Sequence, residues 1–332
     1  MRIGIAYDLK SDHERASPAT NAPDDRFEEL DSRETVDAIA AALSARGHEP
    51  ALLGGGRAFI ERVLARPPEL VFNIAEGVGT RSREAHVPSV CEMLGIPVTH
   101  SDPLTLAVTL DKAMAKRLVA AAGVATPRFA IVESREQAED VALEFPLIAK
   151  PLFEGSSIGI RKSSRVTDFA ALLREVERLL ADYREPVLVE EFCCGAELTI
   201  GVLGNGIGAR AIAAMEIAPK IMKRDEFVYS LEVKRNWREE VEYRVPPRVP
   251  ATQVRESIDL ALDAYRALGC RDVARVDVRM TARGEPRFLE INPLPGLNPT
   301  TGDIVILAER SGIAYEELIA RIVEHARSRY GI

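Results

Sequence analysis

Two short stretches decide the fold: Arg275-Val276-Asp277-Val278-Arg279 and, across a turn that contains Gly284, Phe288-Leu289-Glu290-Ile291-Asn292. The first alternates polar and apolar residues with a period of two and the second does so from Leu289 on, both read as β-strands, and the glycine between them suits a hairpin turn. Side chains alternate faces along a strand, so Arg275, Asp277 and Arg279 share one face and Glu290 and Asn292 share one face of the partner. Two carboxylates and one amide oxygen brought together make a hard, oxygen-only site. Magnesium is held in this way, through a few protein ligands, with nucleotide phosphates completing its shell. Arg275 beside such a site can hold a transferring phosphoryl group or a developing oxyanion. By itself, the hairpin is equally well a solvated sheet face crossed by surface ion pairs.

Upstream, Pro146-Leu147-Ile148-Ala149-Lys150 leads into Pro151-Leu152-Phe153-Glu154-Gly155-Ser156-Ser157-Ile158-Gly159. Glycines that allow unusual backbone angles, two hydroxyls and free N–H groups suit a lid over phosphates, and Lys150 offers a point charge for them. The apolar run Val187-Leu188-Val189 ends in Glu190-Glu191-Phe192, with Glu197 a few residues on. Such a strand can offer its backbone to an adenine edge and a carboxylate to ribose hydroxyls, or it is simply a strand ending at a solvated acidic turn. Leu110-Asp111-Lys112 with Lys116 reads as an ordinary helix face, and Glu232-Val233-Lys234 is bland in isolation.

Before these stretches, strands alternate with helices. Met1 to Tyr7 reads as a strand. Val36, Ile39, Ala40 and Leu43 recur at helical spacing, with Asp31 or Ser32 as cap and Gly47 at the end. Leu70 to Ile74 reads as a buried strand, Val87 to Leu94 as a helix stopped by Gly95, and Ile96 to Thr99 as a short strand. The repetition favours a parallel, Rossmann-like sheet, although Gly54-Gly55-Gly56 is a turn rather than a dinucleotide fingerprint. Further on, Phe169, Leu172, Leu173 and Val176 follow a helical period. Gly204-Asn205-Gly206 marks a turn between strands, Pro250 opens a helix that ends at Gly269, and a last helix begins near Tyr315.

The 332 residues are 46% apolar, 28% charged and 5% aromatic, with a formal charge of −8. This is the composition of a soluble globular chain with ample core, and its basic residues form no tract, which argues against a nucleic-acid partner. Cys91, Cys193, Cys194 and Cys270 have no zinc-site spacing, and no apolar run has spanning length. A reduced, cytoplasmic protein with no membrane association is expected.

In this order and at these separations the segments resemble the ATP-grasp fold, and most closely the D-alanine–D-alanine ligase family. The resemblance is dense from about Pro88 to Glu324, through Leu94-Gly95-Ile96-Pro97, Asp111-Lys112, Lys150 to Gly159, Val187 to Glu191, Gly195-Ala196-Glu197, Glu290-Ile291-Asn292 and Pro295-Gly296. It implies an α/β architecture with a Rossmann-like N-terminal domain over 1–103, a central ATP-grasp subdomain over 104–186 and a C-terminal one with the metal site over 187–332. It also implies ATP and two Mg2+ ions, or Mn2+, as cofactors, and small amino-acid or peptide substrates; relatives of the fold often pair as homodimers.

Residue by residue, the resemblance gives Lys112 and Lys150 to the phosphates, Gly155 and Ser157 to the lid over them, Glu190, Glu191, Phe192 and Cys193 to adenine, and Glu197 to ribose. Phe227 to Lys234 falls where the family has a mobile loop whose lysine reaches the γ-phosphate. Asp277, Glu290 and Asn292 would bind the metals, Arg275 would steady an acyl phosphate, and Ser156 would lie over the reacting carboxylate. The implied activity is amide formation through that acyl phosphate.

The match is weaker where substrates bind. The family's glycine- and serine-rich segment with an ammonium-binding glutamate is replaced by Asp8-Leu9-Lys10-Ser11-Asp12-His13-Glu14 and a polar stretch to Asp31. A later acidic loop becomes Glu76-Gly77-Val78-Gly79-Thr80-Arg81-Ser82-Arg83-Glu84, in which Arg81 and Arg83 could clamp an extra substrate carboxylate or form a solvated helix entry. After Gly296 the run Leu297-Asn298-Pro299-Thr300-Thr301-Gly302 keeps a hydroxyl at Thr301 but changes the pocket. A D-alanine–D-alanine ligase, a peptide ligase of altered specificity and a nucleotide-binding module without catalysis are the competing readings.

Overall fold

The computed structural model describes residues 1–16 and 22–332, so part of the polar stretch between Asp8 and Asp31 lies outside the described residues. Strands β1 (Arg2–Ala6), β2 (Glu49–Leu52) and β3 (Leu70–Asn73) form a parallel sheet in the order β2-β1-β3. Ile3 and Ile5 pack on one face against Val36, Ile39 and Leu43 of helix Arg33–Ala45 and against Leu318, Ile319 and Ile322 of the last helix, Tyr315–Tyr330. Ala6 and Val71 pack on the other face against Phe59, Val63, Val87 and Cys91. A parallel sheet is covered on both sides because its crossover connections lay helices there. Ser32 caps helix Arg33–Ala45 by accepting from Thr35 N, and Gly95 ends helix His86–Leu94 at φ 67°. The expected strand Ile96 to Thr99 is reduced to an isolated bridge between Val71 and Val98.

Strands β4 (Phe129–Val132), β5 (Leu147–Pro151), β6 (Arg165–Val166) and β7 (Val187–Glu191) form an antiparallel sheet in the order β4-β7-β5-β6. The stretch from Val187, read from sequence as the start of the last part, is therefore one of the two inner strands of the preceding sheet. Its two faces show why: Val187 and Val189 pack with Leu172, Val176 and Leu179 of helix Phe169–Tyr183, while Leu188 packs with Ala113 and Leu152. A run that is apolar on both faces is the mark of an inner strand.

Strands β8 (Glu197–Leu203), β9 (Arg210–Pro219), β10 (Val241–Arg244), β11 (Val273–Met280) and β12 (Pro286–Asn292) form the third sheet, antiparallel, in the order β10-β9-β8-β11-β12. Ala261, Ala264 and Tyr265 of helix Ala251–Ala267 and Ala115 and Val119 of helix Lys112–Ala121 cover one face. The cleft described below lies between the second and third sheets. Among the described residues no helix is long and apolar enough to cross a membrane.

Candidate active site

The decisive hairpin forms and its polar faces meet: Asp277 lies opposite Glu290 and Arg275 opposite Asn292, after a bulge between Asp277 and Val278 that moves the pairing by one residue. Thr199, beside Asp277 on β8, donates to Asp277 Oδ1 at 2.8 Å, and Arg275 Nε and Nη2 donate to Oδ2 at 3.1 and 3.0 Å. Burial pushes the Asp277 carboxyl up and Glu290 pushes it further, against the pull of Arg275. Burial also pushes Glu290 up, but Lys112, Lys150, Arg275 and Lys234 together outweigh it and hold that carboxyl below its ordinary range. Asn292 Oδ1 accepts from Leu294 N at 3.0 Å and keeps a second lone pair. The donors are all hard oxygens, and among the described residues the Glu290 carboxylate takes no hydrogen bond, so a divalent cation fits this set.

A cleft of about 700 Å³ opens from this hairpin, lined by Lys150, Ser157, Glu190 to Cys193, Glu197, Lys234, Arg275, Asp277 and Glu290. Ile148 on one sheet and Ile217 and Leu289 on the other supply apolar walls suited to a planar ring. Glu190 sits between two lysines, 2.7 Å from Lys116 Nζ and 2.7 Å from Lys150 Nζ. Burial disfavours its charge, yet the two cations bring its carboxyl down to about 2. Lys116, read from sequence as part of an ordinary helix face, is wholly buried. The signal was its spacing, because Lys112, Lys116 and Val119 recur at i, i+4, i+7 on the face that turns inward. Arg279 was also missed as a site residue. It pairs with Glu197 at 3.1 Å, donates to Phe227 O at 2.6 Å and lies 4.4 Å from the centre of the Phe192 ring. Glu191 borders the cleft but pairs with Arg128 toward solvent.

The stretch expected to act as a lid runs from Glu154 to Gly159. Its carbonyl at Glu154 accepts from Lys112 Nζ. Ser156 (φ 49°) and Ser157 (φ 61°) both occupy the left-handed region, where side chains other than glycine are strained. Ser157 faces the cleft and donates to Tyr229 O at 2.9 Å. Ser156 faces a second, open cavity of about 1290 Å³, and Gly155 faces a smaller one beside Lys112, Glu290 and Asn292. Four side chains, Tyr229, Lys234, Arg275 and Asp303, border both the cleft and the large cavity. Asp303 accepts from Tyr243 Oη at 3.1 Å and lies 3.7 Å from Arg275 Nη1, and Tyr243 Oη lies 2.6 Å from Tyr229 Oη. Burial and the neighbouring Arg275 lower the pKa of Lys234.

Glu76, Gly296 and Thr301, expected from sequence near the substrate, all border the large cavity. Asp8 holds the turn beside Glu76 by accepting from Gly77 N at 2.9 Å. Gly77 is at φ +69°, and a Cβ there would meet Arg83 O at 2.7 Å, so only glycine fits. Arg81 and Arg83 do not border the cavity and form no clamp for a substrate carboxylate. Arg81 is exposed over the Phe153 ring. Arg83 is buried and already occupied by Glu29 at 2.6 Å, Glu154 at 3.2 Å and Phe153 O at 3.1 Å. The counter-charge, Glu29, comes from the irregular segment before Asp31, which sequence patterns could not place.

The family model described as D-ala D-ala ligase C-terminus matches residues 118–324. An uncharacterized protein of Sinorhizobium fredii is 33% identical over 308 residues, covering 89% of this chain and 88% of that protein. A D-alanine–D-alanine ligase of Cupriavidus metallidurans is 34% identical over 291 residues, covering 87% of this chain and 85% of its own length. The crystal structure of the D-alanine–D-alanine ligase of Bacillus anthracis complexed with ATP has the same fold, at a TM-score of 0.74 and 20% identity, with 100% of this chain and 99% of that one covered. With sequence relatives over most of its length, and with the sheets, cleft and metal-type hairpin in place, the chain belongs to the D-alanine–D-alanine ligase family, on an ATP-grasp fold.

Proposed function

We propose that this protein joins the carboxylate of one amino acid or short peptide to the amine of another, using ATP and passing through an acyl phosphate. The observation that carries this is the junction of the cleft and the large cavity, where Lys234, Arg275, Tyr229 and Asp303 border both spaces. A γ-phosphate entering from one side and a carboxylate from the other meet there. A carboxylate is a poor electrophile until its oxygen is phosphorylated, after which an amine displaces phosphate.

In this reading Lys112, Lys150 and Lys234 neutralise the phosphates, Arg275 holds the acyl phosphate and the oxyanion of the tetrahedral intermediate, and Ser156 lies over the reacting carboxylate. Glu197 takes the ribose, and Glu191 to Cys193 border the adenine. The Glu190 side chain is committed to Lys116 and Lys150, so it positions Lys150 rather than touching the base. Asp277, Glu290 and Asn292 hold two magnesium ions, or manganese, whose contribution is to neutralise charge between attacking carboxylate and phosphate. The lid over 154–159 keeps water from the acyl phosphate. We assign 1–103, 104–191 and 192–332 to three units, the boundary expected at 186 being moved past β7.

D-alanine, named in the relatives, is the first candidate substrate. A substrate other than alanine is favoured by one observation, the acidic wall that Glu29, Asp31 and Glu76 give the large cavity. The test is magnesium-dependent phosphate release from ATP across D- and L-amino acids and short peptides, with Glu290→Gln as control. Release that depends on an amino acid and vanishes in the control is expected. ATP binding without release for any pair would leave a nucleotide-binding module instead.

A further inference from the structure

The carboxylates of Glu29, Glu76 and Glu84 approach within 4.8 Å of one another. Glu76 and Glu84 are 8% and 7% exposed, and among the described residues neither takes a hydrogen bond or an ion pair. An unpartnered buried carboxylate is costly, and a site that keeps two of them side by side is built for something that pairs with them. Glu76 borders the large cavity together with Ser156 and Gly296, Glu84 borders the smaller one, and Glu29 borders both.

Of the other acids around the large cavity, Asp31 has no cationic partner among the described residues and is pushed up to about 7 by burial, while the rest are compensated. Glu28 pairs with Lys10 at 2.8 Å and with Arg235 at 3.1 Å, Asp303 has Tyr243 and Arg275, and Glu29 has Arg83 at 2.6 Å. Arg83 is taken by Glu29 and Glu154, and among the described residues Glu76 and Glu84 are left without an ion pair of their own. Burial first, and Glu29 next, push Glu84 up to about 8 and Glu76 well above the carboxylate range, so the empty cluster keeps protons that an entering cation would displace.

We propose that Glu29, Glu76 and Glu84 form a subsite for a second positive charge on the substrate, so that the large cavity takes a diamino acid or another amino acid with a cationic side chain. One carboxylate suffices for an α-ammonium; the cluster offers more. A primary ammonium has three donors, which matches three acidic groups around one point. The inference rests on the ligase reading for the reaction, but its binding claim stands apart from catalysis.

The experiment compares ornithine with norvaline and lysine with norleucine, in both enantiomers, by phosphate release from ATP and by calorimetric binding. Wild type and Glu84→Gln are both measured. The expected result is a wild-type kcat/KM for the diamino acid about tenfold or more above its apolar match, as a charge-assisted hydrogen bond supplies, with the ratio near one in Glu84→Gln. Because each ratio is taken within one protein, a general folding loss does not mimic it. Equal use of both members of a pair by the wild type overturns the subsite, and so does a preference that survives Glu84→Gln. Mn2+ bound without nucleotide by the wild type and lost in Glu84→Gln overturns it in favour of a metal site. Diamino-acid binding lost in Glu84→Gln without any phosphate release keeps the subsite and overturns the ligase reading; neither binding nor release overturns both.

Discussion

Replacing Lys116 with methionine tests whether the buried ion triad is a working part of the fold. Lys116 Nζ lies 2.7 Å from Glu190 and 2.7 Å from Thr126 Oγ1, with no exposure to solvent. The Glu190 carboxyl stands at about 2 against an ordinary 4.5, although burial alone would raise it. At about 1.4 kcal/mol per pKa unit, the two lysines and their hydrogen bonds favour the charged form by roughly 3 kcal/mol in net terms. Removing one partner of a buried pair costs about 3–5 kcal/mol by a separate route, so Lys116→Met should lose about 3 kcal/mol. Urea unfolding followed by circular dichroism at pH 7 reads the loss, and Lys116→Met with Glu190→Gln together should cost clearly less than the two single changes summed. The pH dependence has a definite sign. A depressed carboxyl pKa contributes stability above the ordinary carboxylate range, and this contribution disappears as pH falls from 4.5 through about 2. Lys116→Met should flatten that acid limb. A loss under about 1 kcal/mol, or single losses that simply add, would refute the account.

Three further outcomes follow from the same geometry. Asp303→Asn weakens the charged contact to Arg275 and the acceptor of Tyr243, and should lower kcat about 10- to 100-fold while the KM for ATP stays near its starting value in steady-state assays. Arg81→Ala should leave kcat/KM within about twofold for acidic and neutral substrates alike, because Arg81 faces solvent; a selective loss with acidic substrates would restore the clamp. Asp31 is pushed up to about 7 by burial, so between 3.8 and 7 the folded chain holds a proton that the unfolded chain releases, and wild-type stability falls as pH rises through that window. Asp31→Asn should therefore raise the thermal midpoint relative to wild type at pH 8 more than at pH 5; an equal shift at both would remove the proton from the explanation.

What was legible in the sequence is what regular elements position. The period of two in β11 puts Arg275, Asp277 and Arg279 on one face, but that Asp277 lies opposite Glu290 depends on a bulge between Asp277 and Val278, which shifts the pairing by one residue and which alternation does not announce. The capped helices of the first sheet and the inner helix Phe169–Tyr183 follow from their own spacing in the same way. Lys116 and Arg279 were partly legible, as polar residues at positions whose period points inward. Their partners, Glu190 and Glu197, lie on other strands and could not be named from spacing.

The substrate half was hidden for a physical reason of its own. Residues 22–31 contain no helix or strand, yet Asp25 is 1% exposed and accepts from Gly159 N at 3.0 Å and from Tyr183 Oη at 2.9 Å, across 134 and 158 positions of sequence. Asp24 pairs with Arg235 at 2.6 Å, 211 positions away, and Glu29 reaches Arg83. One irregular strap thus touches the lid, the helix that carries Lys234 and the acidic wall of the cavity. Each contact depends on chain closure over long loops, whose entropic cost rises only slowly with length, so distance in sequence neither forbids nor announces it. Arg83 shows the consequence. Its motif left open a clamp for a substrate carboxylate or a solvated helix entry, but the strap delivers Glu29 to it, and the residues facing the cavity there are acidic. In the proposed reading the nucleotide is held by regular strands that a local pattern reveals, while the wall that would meet the substrate is built by a segment whose position exists only once the whole chain has folded.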